Sequence, residues 1–306
     1  MIILNIIDLH CDTLLKLKND DYCITKNNGH ISDKGLKLGG YLAQCFAIYT
    51  SPKICGEDAC THFKNQCSIF ENTVNKSKIL EKASCAKSII NNSENKKVSA
   101  VLTVENAEFL NCNLERINLL KNHDISILGL IHNGENCLGF PHNIPNPPLK
   151  EFGKEVVDAL NSTNIKIDVS HLNFGGFCDV KAISKNPIIA THSACSELCE
   201  HTRNLYDSQI KDIANSGGIL GVPFYSLFLN GTNNTQVSDI VMHLEHLIKT
   251  GGEDVAAIGT DFDGMDCNLF LKDCSQMSVL VSELTKKFGI NLTEKICSKN
   301  ALRVLG

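Results

Sequence analysis

The sequence predicts a single (β/α)8 barrel, and two observations lead to that expectation. Short apolar runs rich in β-branched residues recur along the 306 residues, without the polar alternation of a half-exposed strand. Stretches with helical periodicity lie between these runs, so that strand and helix alternate through the chain. Eight such units in about 300 residues are typical of one barrel rather than of a doubly wound sheet. We therefore treat residues 1–306 as one domain.

The eight predicted strands are too short for helices and have a composition suited to burial on both faces. They are Ile2–Ile7, Leu42–Tyr49, Val98–Val104, Ile125–Ile131, Ile165–Val169, Ile188–Thr191, Ile219–Phe224 and Val255–Thr260. The helical stretches include Glu108–Asn122, Phe152–Asn161, Leu205–Ser216, Val237–Thr250 and Met277–Phe288. A last helix, Thr293–Val304, is expected to close the bottom or side of the barrel. Two long connections, Thr50–Thr61 and Gly134–Lys150, are expected to form lids over the catalytic end.

The composition of the chain argues against nucleic-acid binding, membrane insertion and a disulfide framework. The chain has 29 Lys and Arg against 34 Asp and Glu, a formal charge of −5 with no basic stripe, so nucleic acid is not an expected partner. The apolar N-terminus is too short to span a membrane and lacks the basic start of a signal peptide, which favours a cytoplasmic protein without membrane contact. Fifteen cysteines, an odd number without a Cys-x-x-Cys pair, are expected to be reduced apolar fillers.

Polar side chains follow seven of the eight predicted strands. In chain order these segments and residues are Asp8–Asp12, Glu105, His132, Asp168–His171, His192, Tyr225 and Asp261–Asp263. Because the carboxyl ends of barrel strands meet on one face, we expect these side chains to converge there. Tyr225 is thereby a candidate for substrate binding.

Histidines and carboxylates on one rim are the ligands of a metal site, and their number favours two divalent ions. His10 and Asp12 lie two residues apart at a strand end, so both side chains can reach one ion. Glu105 could bridge, and His171 with His192 could hold the second ion. This ligand set suits Zn²⁺, with Mn²⁺ or Co²⁺ as substitutes. Two such ions would polarise a carbonyl and activate a water, which predicts a hydrolase.

Other polar residues have two interpretations. Asp8 and Asp168 could orient ligand imidazoles or cap the turns beside them. Arg203, in the loop after strand six, could bind a substrate carboxylate or form a structural ion pair. Arg116 and Arg303 lie in predicted helices and are expected to be solvated. His142 stays undecided, and the remaining histidines are expected on the surface: His30, His62, His123, His201, His243 and His246.

The motifs at these strand ends resemble the membrane (renal-type) dipeptidases, within the amidohydrolase-like metal-dependent hydrolases. The resemblance spans nearly the whole chain in order and spacing. It rests on Asp8–Leu14, Gly39–Gln44, Val104-Glu105, Ile167–His171, Thr191–Ala194, Arg203–Leu205, Gly259–Gly264 and Asn300–Val304. One departure is Asn106-Ala107 after Glu105, where the family often has a glycine pair.

The resemblance implies a homodimeric dinuclear zinc peptidase that cleaves dipeptides and accepts a D-residue at the carboxyl side. It assigns His10 and Asp12 to one zinc, His171 and His192 to the other, and Glu105 to both. Asp261 would handle the protons of the attacking hydroxide and of the leaving amine. The resemblance also implies that His132 contacts the substrate near the scissile bond and that Arg203 binds its terminal carboxylate.

Two alternatives remain open. One is another barrel metallohydrolase, such as a deaminase or phosphoesterase. Those relatives usually begin with His-x-His and many bridge with a carbamylated lysine, whereas position 12 is Asp here. The other is a barrel that has lost catalysis and serves as a scaffold. Such losses usually delete ligands, and no expected ligand is missing from this sequence.

Overall fold

The strands of the protein form the predicted parallel barrel in a computed structural model that describes residues 5–17, 23–25, 27 and 29–306. The described strands are β1 (Ile6–Cys11), β2 (Tyr41–Tyr49), β3 (Leu80–Ala83), β4 (Val98–Glu105), β5 (Ile127–Gly129), β6 (Lys166–Asp168), β7 (Ile188–Ile189), β8 (Leu220–Val222), β9 (Asn234–Thr235), β10 (Ala256–Ile258) and β11 (Asn268–Leu269). Eight of them line up in the order β7-β6-β5-β4-β2-β1-β10-β8. The backbone N–H of Gly221 donates to the oxygen of Ala190 at 2.8 Å and brings the two ends of this sheet together.

All eight predicted strands correspond to barrel strands, although most are shorter than predicted. Residues 2–4 of the first predicted strand lie outside the described residues. The sequence prediction missed β3, since Leu80–Ala83 carries two charged residues among its four. This strand pairs with the amino half of β4, where Leu80 lies opposite Val98, so it extends the sheet below β5 rather than joining the barrel.

Helices cover the outside and the amino-terminal end of the barrel. They are α1 (Asp33–Gly39), α2 (Gly56–Lys76), α3 (Ala86–Glu94), α4 (Ile117–Asn122), α5 (Glu151–Leu160), α6 (Phe174–Ile183), α7 (Asp207–Asn215), α8 (Ser226–Leu229), α9 (Val237–Gly251), α10 (Met277–Glu294) and α11 (Asn300–Leu305). Within the described residues, no helix has the length and apolar character needed to cross a bilayer.

Two of the predicted boundaries are wrong. The expected lid Thr50–Thr61 ends early because α2 begins at Gly56 and buries Phe63 and Phe70 against the barrel. The predicted helix Glu108–Asn122 is broken into two short 3-10 turns followed by α4. By contrast, Gly134–Lys150 contains no helix or strand and remains the one predicted connection of that length.

Apolar side chains form two layers. Inside the barrel, Ile7, Val101 and Ile189 meet side chains of α11, so the last helix plugs the amino-terminal end as the sequence predicts. A short π-helical turn, Lys295–Lys299, joins α10 to this plug. Gly259, directly after β10, permits the close approach of the chain that follows β7, since a Cβ there would lie 1.7 Å from the Thr191 oxygen. The packed interior holds the opposite, carboxyl ends of the strands rigidly in place.

Candidate active site

The five predicted metal ligands and Asp261, the predicted acid and base, converge at the carboxyl ends of five barrel strands. Each lies at a strand end or within the three residues after it: His10 and Asp12 at β1, Glu105 at β4, His171 at β6, His192 at β7 and Asp261 at β10. All six residues are at least nine-tenths buried. Together with His132, their ligand atoms form three overlapping groups that could hold metal ions: His10, Asp12 and Glu105; His10, His192 and Asp261; and Glu105, His132 and His171.

Glu105 lies at the centre of the cluster. Its Oε1 atom is 2.8 Å from His171 Nε2 and 3.5 Å from His192 Nε2. Its Oε2 atom is 3.9 Å from Nε2 of His10, which in turn lies 3.6 Å from Asp12 Oδ2. The two oxygens of one carboxylate therefore face two separate ligand pairs, the arrangement that a bridging ligand requires.

The protonation of His171 and His192 follows from their outer partners. His171 Nδ1 lies 2.7 Å from the Asn133 side-chain oxygen, which can only accept. His192 Nδ1 lies 2.9 Å from the hydroxyl of Thr191, and that hydroxyl donates its proton to Asp168 Oδ2 at 2.5 Å. Both imidazoles thus carry their proton on Nδ1. The two bare Nε2 atoms are only 2.9 Å apart, a contact that a cation would stabilise.

The charges of the cluster also fit a metal. Burial and the carboxylate of Asp12 raise the pKa of Glu105 well above its usual range, and burial raises the pKa of Asp261 to about 7. Burial alone would lower the pKa of His10, but the surrounding carboxylates outweigh it and raise that pKa to about 10. Within the described part of the chain, His10 Nε2 and Asp12 Oδ1 are buried without a hydrogen-bond partner. A bound dication would offset the repulsion between the crowded carboxylates and would bond the ligand atoms that have no hydrogen-bond partner.

Asp8 and Asp168 each accept hydrogen bonds from the end of a neighbouring strand. Asp8 accepts hydrogen bonds from the backbone N–H groups of His10 and Thr260 and from the Thr260 hydroxyl. Asp168 accepts from the backbone N–H and the hydroxyl of Thr191. Both residues therefore cap their strand ends. Asp168 in addition orients the imidazole that contacts the Thr191 hydroxyl, so each of the two interpretations holds for it.

Backbone conformation brings the ligands into range. Asn106, His171 and Asp261 have φ values of +75°, +66° and +62°, a left-handed region that costs free energy for residues other than glycine. Gly264 adds a close approach, because a Cβ on this residue would lie 2.0 Å from Asp12 Oδ2 and 2.5 Å from Asp261 Oδ1. The sequence departure at Asn106 is thus accommodated by a strained turn beside the central carboxylate.

Arg203 lies next to the cluster and has no ion-pair partner among the described residues. Its guanidinium donates to the Ser193 hydroxyl at 3.2 Å and to the backbone oxygen of His192 at 3.0 Å, and it lies 5.3 Å from the Phe228 ring centre. No carboxylate of the described residues lies within 4.0 Å of it, which argues against the structural ion pair. Burial lowers its pKa to about 10, so the group stays charged at neutral pH.

Two further candidates line the same region. His132 Nε2 lies 3.9 Å from Glu105 Oε1, and burial together with the charge of Arg203 lowers the pKa of His132 to about 3. This imidazole is therefore neutral. Tyr225 is half-buried and packs edge-on against Phe228, whose ring also faces Arg203. Phe228 thus holds two of the predicted substrate-binding residues together.

One histidine prediction is wrong. His243, expected on the surface, is fully buried; its Nδ1 accepts from the Cys195 backbone N–H and its Nε2 donates to the Leu229 oxygen. Arg303 is exposed as predicted and Arg116 is half-buried, and both also donate hydrogen bonds to backbone oxygens. Sequence reasoning also missed the supporting residues Asn133, Thr191, Phe228 and Gly264, although the position of Thr191 directly before a predicted ligand was a usable signal.

The whole chain matches one protein family. Residues 2–306 fit the family described as membrane dipeptidase, peptidase family M19. The chain belongs to this family. Membership supports a hydrolase of the metallo-dipeptidase class.

Individual relatives agree with this membership. An uncharacterized dipeptidase of Schizosaccharomyces pombe is 26% identical over 220 residues, which cover 69% of this chain and 53% of that protein. The chain spans 53% to 60% of the length of the curated relatives that it matches first. The crystal structure of dipeptidase AC, a metallo peptidase, has a TM-score of 0.93 at 26% identity over 99% of this chain and 98% of that one. A metallo peptidase from Rhodobacter sphaeroides, solved with a phosphinate mimic of L-Ala-D-Ala, has the same TM-score and coverage at 24% identity.

Proposed function

We propose that this member of the membrane dipeptidase family is a zinc-dependent enzyme that hydrolyses dipeptides. His10 and Asp12 would hold one Zn²⁺, His171 and His192 the other, and Glu105 both, with Mn²⁺ or Co²⁺ as substitutes. The observation that carries the proposal is the contact of the two Glu105 oxygens with separate ligand pairs. When bound, the two ions would polarise the peptide carbonyl and make an attacking hydroxide available near neutral pH.

Asp261 is the proposed acid and base of the reaction. Its Oδ1 lies 4.0 Å from His10 Nε2, at the edge of the cluster, and burial raises its pKa to about 7. A carboxyl group in that range can take a proton from the attacking water and pass it to the leaving amine.

Three side chains are proposed to bind the substrate. Arg203 would bind the terminal carboxylate, because it is a buried guanidinium without an acidic partner in the described chain. His132, kept neutral by its surroundings, would donate or accept a hydrogen bond near the scissile bond. Tyr225 would line the site beside Arg203, since both residues contact the Phe228 ring.

Metal analysis combined with a hydrolysis assay tests the proposal. We expect about two zinc equivalents per chain and cleavage of L-Ala-L-Ala, with L-Ala-D-Ala included because the Rhodobacter sphaeroides protein was solved with its mimic. A chelator should abolish cleavage and added Zn²⁺ should restore it. Two bound zincs without cleavage of either dipeptide would indicate another metallohydrolase, to be sought among amides, nucleosides and phosphoesters. Absence of metal would favour the scaffold interpretation.

A matched pair of variants tests the role of Asp261. Asp261→Asn should lower kcat about 10²- to 10⁴-fold with the zinc content nearly retained. Asp254→Asn is the control, since Asp254 lies just before the amino end of the same strand, β10, and forms an exposed ion pair with Lys295. Robust turnover by Asp261→Asn would refute the assignment.

The homodimer that the resemblance implies and the cytoplasmic location stay predictions. Sedimentation velocity of the purified chain checks the first, and fractionation of the source cells checks the second. Neither outcome bears on the chemistry of the site.

A further inference from the structure

A second feature of the candidate active site is a cavity of about 270 Å³ beside the metal ligands. It lies between the long loop after β5, the start of α6 and the loop between β7 and α7. His171 and Arg203 belong both to its wall and to the candidate active site. A substrate held by Arg203 would therefore present part of itself to this cavity.

The wall of the cavity has no negative charge among the described residues that line it. The apolar part comes from Pro145, Val169, Leu172, Phe174 and Leu205. Arg203 supplies the charge, and its Nε atom is buried without a hydrogen-bond partner in the described chain. A buried cation with no acid beside it in the cavity favours an anion and disfavours a second cation.

A histidine and a threonine add a hydrogen-bond donor. His142 Nδ1 lies 2.7 Å from Thr202 Oγ1, and both residues line the cavity. A neutral imidazole carries one N–H and a threonine hydroxyl carries one O–H, so the pair has two donor protons. If Thr202 donates to Nδ1, the Nε2–H of His142 is left over; if Nδ1–H donates, the hydroxyl proton of Thr202 is left over. Either arrangement leaves one donor for a ligand.

We propose that this cavity is a subsite for an acidic side chain, that of glutamate or aspartate, on the C-terminal residue of the dipeptide. The inference rests on the proposed function, because Arg203 would hold the terminal carboxylate next to the cavity. The side-chain carboxylate would take the free donor of the His142–Thr202 pair and share the field of the guanidinium. A lysine or arginine side chain would meet that same positive field and be rejected.

A substrate series with one N-terminal residue tests the subsite. The zinc-loaded enzyme is assayed with Ala-Glu, Ala-Gln, Ala-Lys and Ala-Ala, in both configurations of the C-terminal residue. Glutamate and glutamine have the same shape, so their ratio isolates the charge. We expect kcat/KM for Ala-Glu to exceed that for Ala-Gln about tenfold, as one charge-assisted hydrogen bond provides, and Ala-Lys to be the poorest.

Variants of the His142–Thr202 pair, which lies outside the metal ligands and the residues proposed to bind every dipeptide, test whether the preference for glutamate comes from the cavity. His142→Leu and Thr202→Val should each bring the Ala-Glu to Ala-Gln ratio close to one, with Ala-Ala turnover nearly unchanged. His123→Leu is the matched control, since His123 follows α4 on the opposite, amino-terminal side of the barrel. Cleavage of Ala-Ala with equal rates for Ala-Glu and Ala-Gln, or a ratio that neither variant changes, overturns the subsite alone. Failure to cleave any dipeptide overturns the proposed function together with it.

Discussion

Replacing Thr191 by valine separates the metal site from the fold that carries it. The Thr191 side chain is fully buried, accepts from His192 Nδ1 and donates to Asp168 Oδ2. Valine has nearly the same shape, so the substitution removes the hydroxyl and little else. Without it, the His192 ring loses the contact that keeps its proton on Nδ1 and its Nε2 bare for a metal ion.

Two free energies change by different amounts. Loss of an outer partner of a ligand histidine typically weakens metal binding about 10- to 100-fold, and a 100-fold loss corresponds to about 2.7 kcal/mol. The free energy of unfolding should fall by about 1–3 kcal/mol, because Asp168 Oδ2 loses its hydroxyl donor in a buried site. Asp168 Oδ1 still accepts hydrogen bonds from the backbone N–H groups of Ser170 and Thr191, so the link between the two strand ends is weakened rather than lost.

The assay is a titration of the chelator-stripped protein with Zn²⁺ against a chromophoric chelator. We expect Thr191→Val to bind one of the two Zn²⁺ ions more weakly than the wild type. The denaturant midpoint is measured on the same stripped samples. Thr293→Val is the control: it removes a similarly buried hydroxyl that bonds the Gly289 oxygen within α10, so it should lower stability only. Wild-type affinity for both ions in Thr191→Val would refute the role of the hydroxyl in orienting His192.

Three further perturbations test other parts of the site and fold. Gly264→Ala should displace the Asp12 and Asp261 carboxylates by about 1 Å and cost about 100-fold in activity, with an unfolding temperature near that of the wild type; an unchanged rate would show that both can move without cost. Arg203→Met should raise KM for a dipeptide about 10- to 100-fold and leave that for its C-terminal amide unchanged, and equal effects on both substrates would exclude carboxylate recognition. Burial lowers the pKa of His243 below 6.5, so its contribution to stability is present above pH 6.5 and is lost as the pH falls through the folded-state pKa. As the pH falls, this group should therefore lower the unfolding free energy of the metal-free wild type by up to about 1.4 kcal/mol per pH unit. Denaturant titrations at several pH values should show a weaker dependence of the unfolding free energy on pH in His243→Gln.

Local pattern predicted the elements that are buried on both faces. Leu42–Tyr49 and Val98–Val104 match β2 and β4 to within one residue, since these largely apolar runs are short for a helix and are typical of an interior strand. The pattern failed where burial is partial: β3 is half charged, and the helix that begins at Gly56 opens with polar residues that resemble a loop. His243 was misplaced because a buried histidine that bonds two backbone groups has no sequence signature.

The barrel and the residues that meet at its carboxyl end could be predicted from local sequence, because strand ends in a parallel barrel converge whatever the details of packing. The sequence also supplied the choice of histidine and carboxylate as ligands. The tertiary structure decided which atom of each ligand faces the centre. Asn133 and Thr191 fix the tautomers of His171 and His192, and strained turns with Gly264 bring the carboxylates within reach. These contacts join residues far apart in the chain or depend on backbone dihedral angles, and neither property can be read from local sequence spacing.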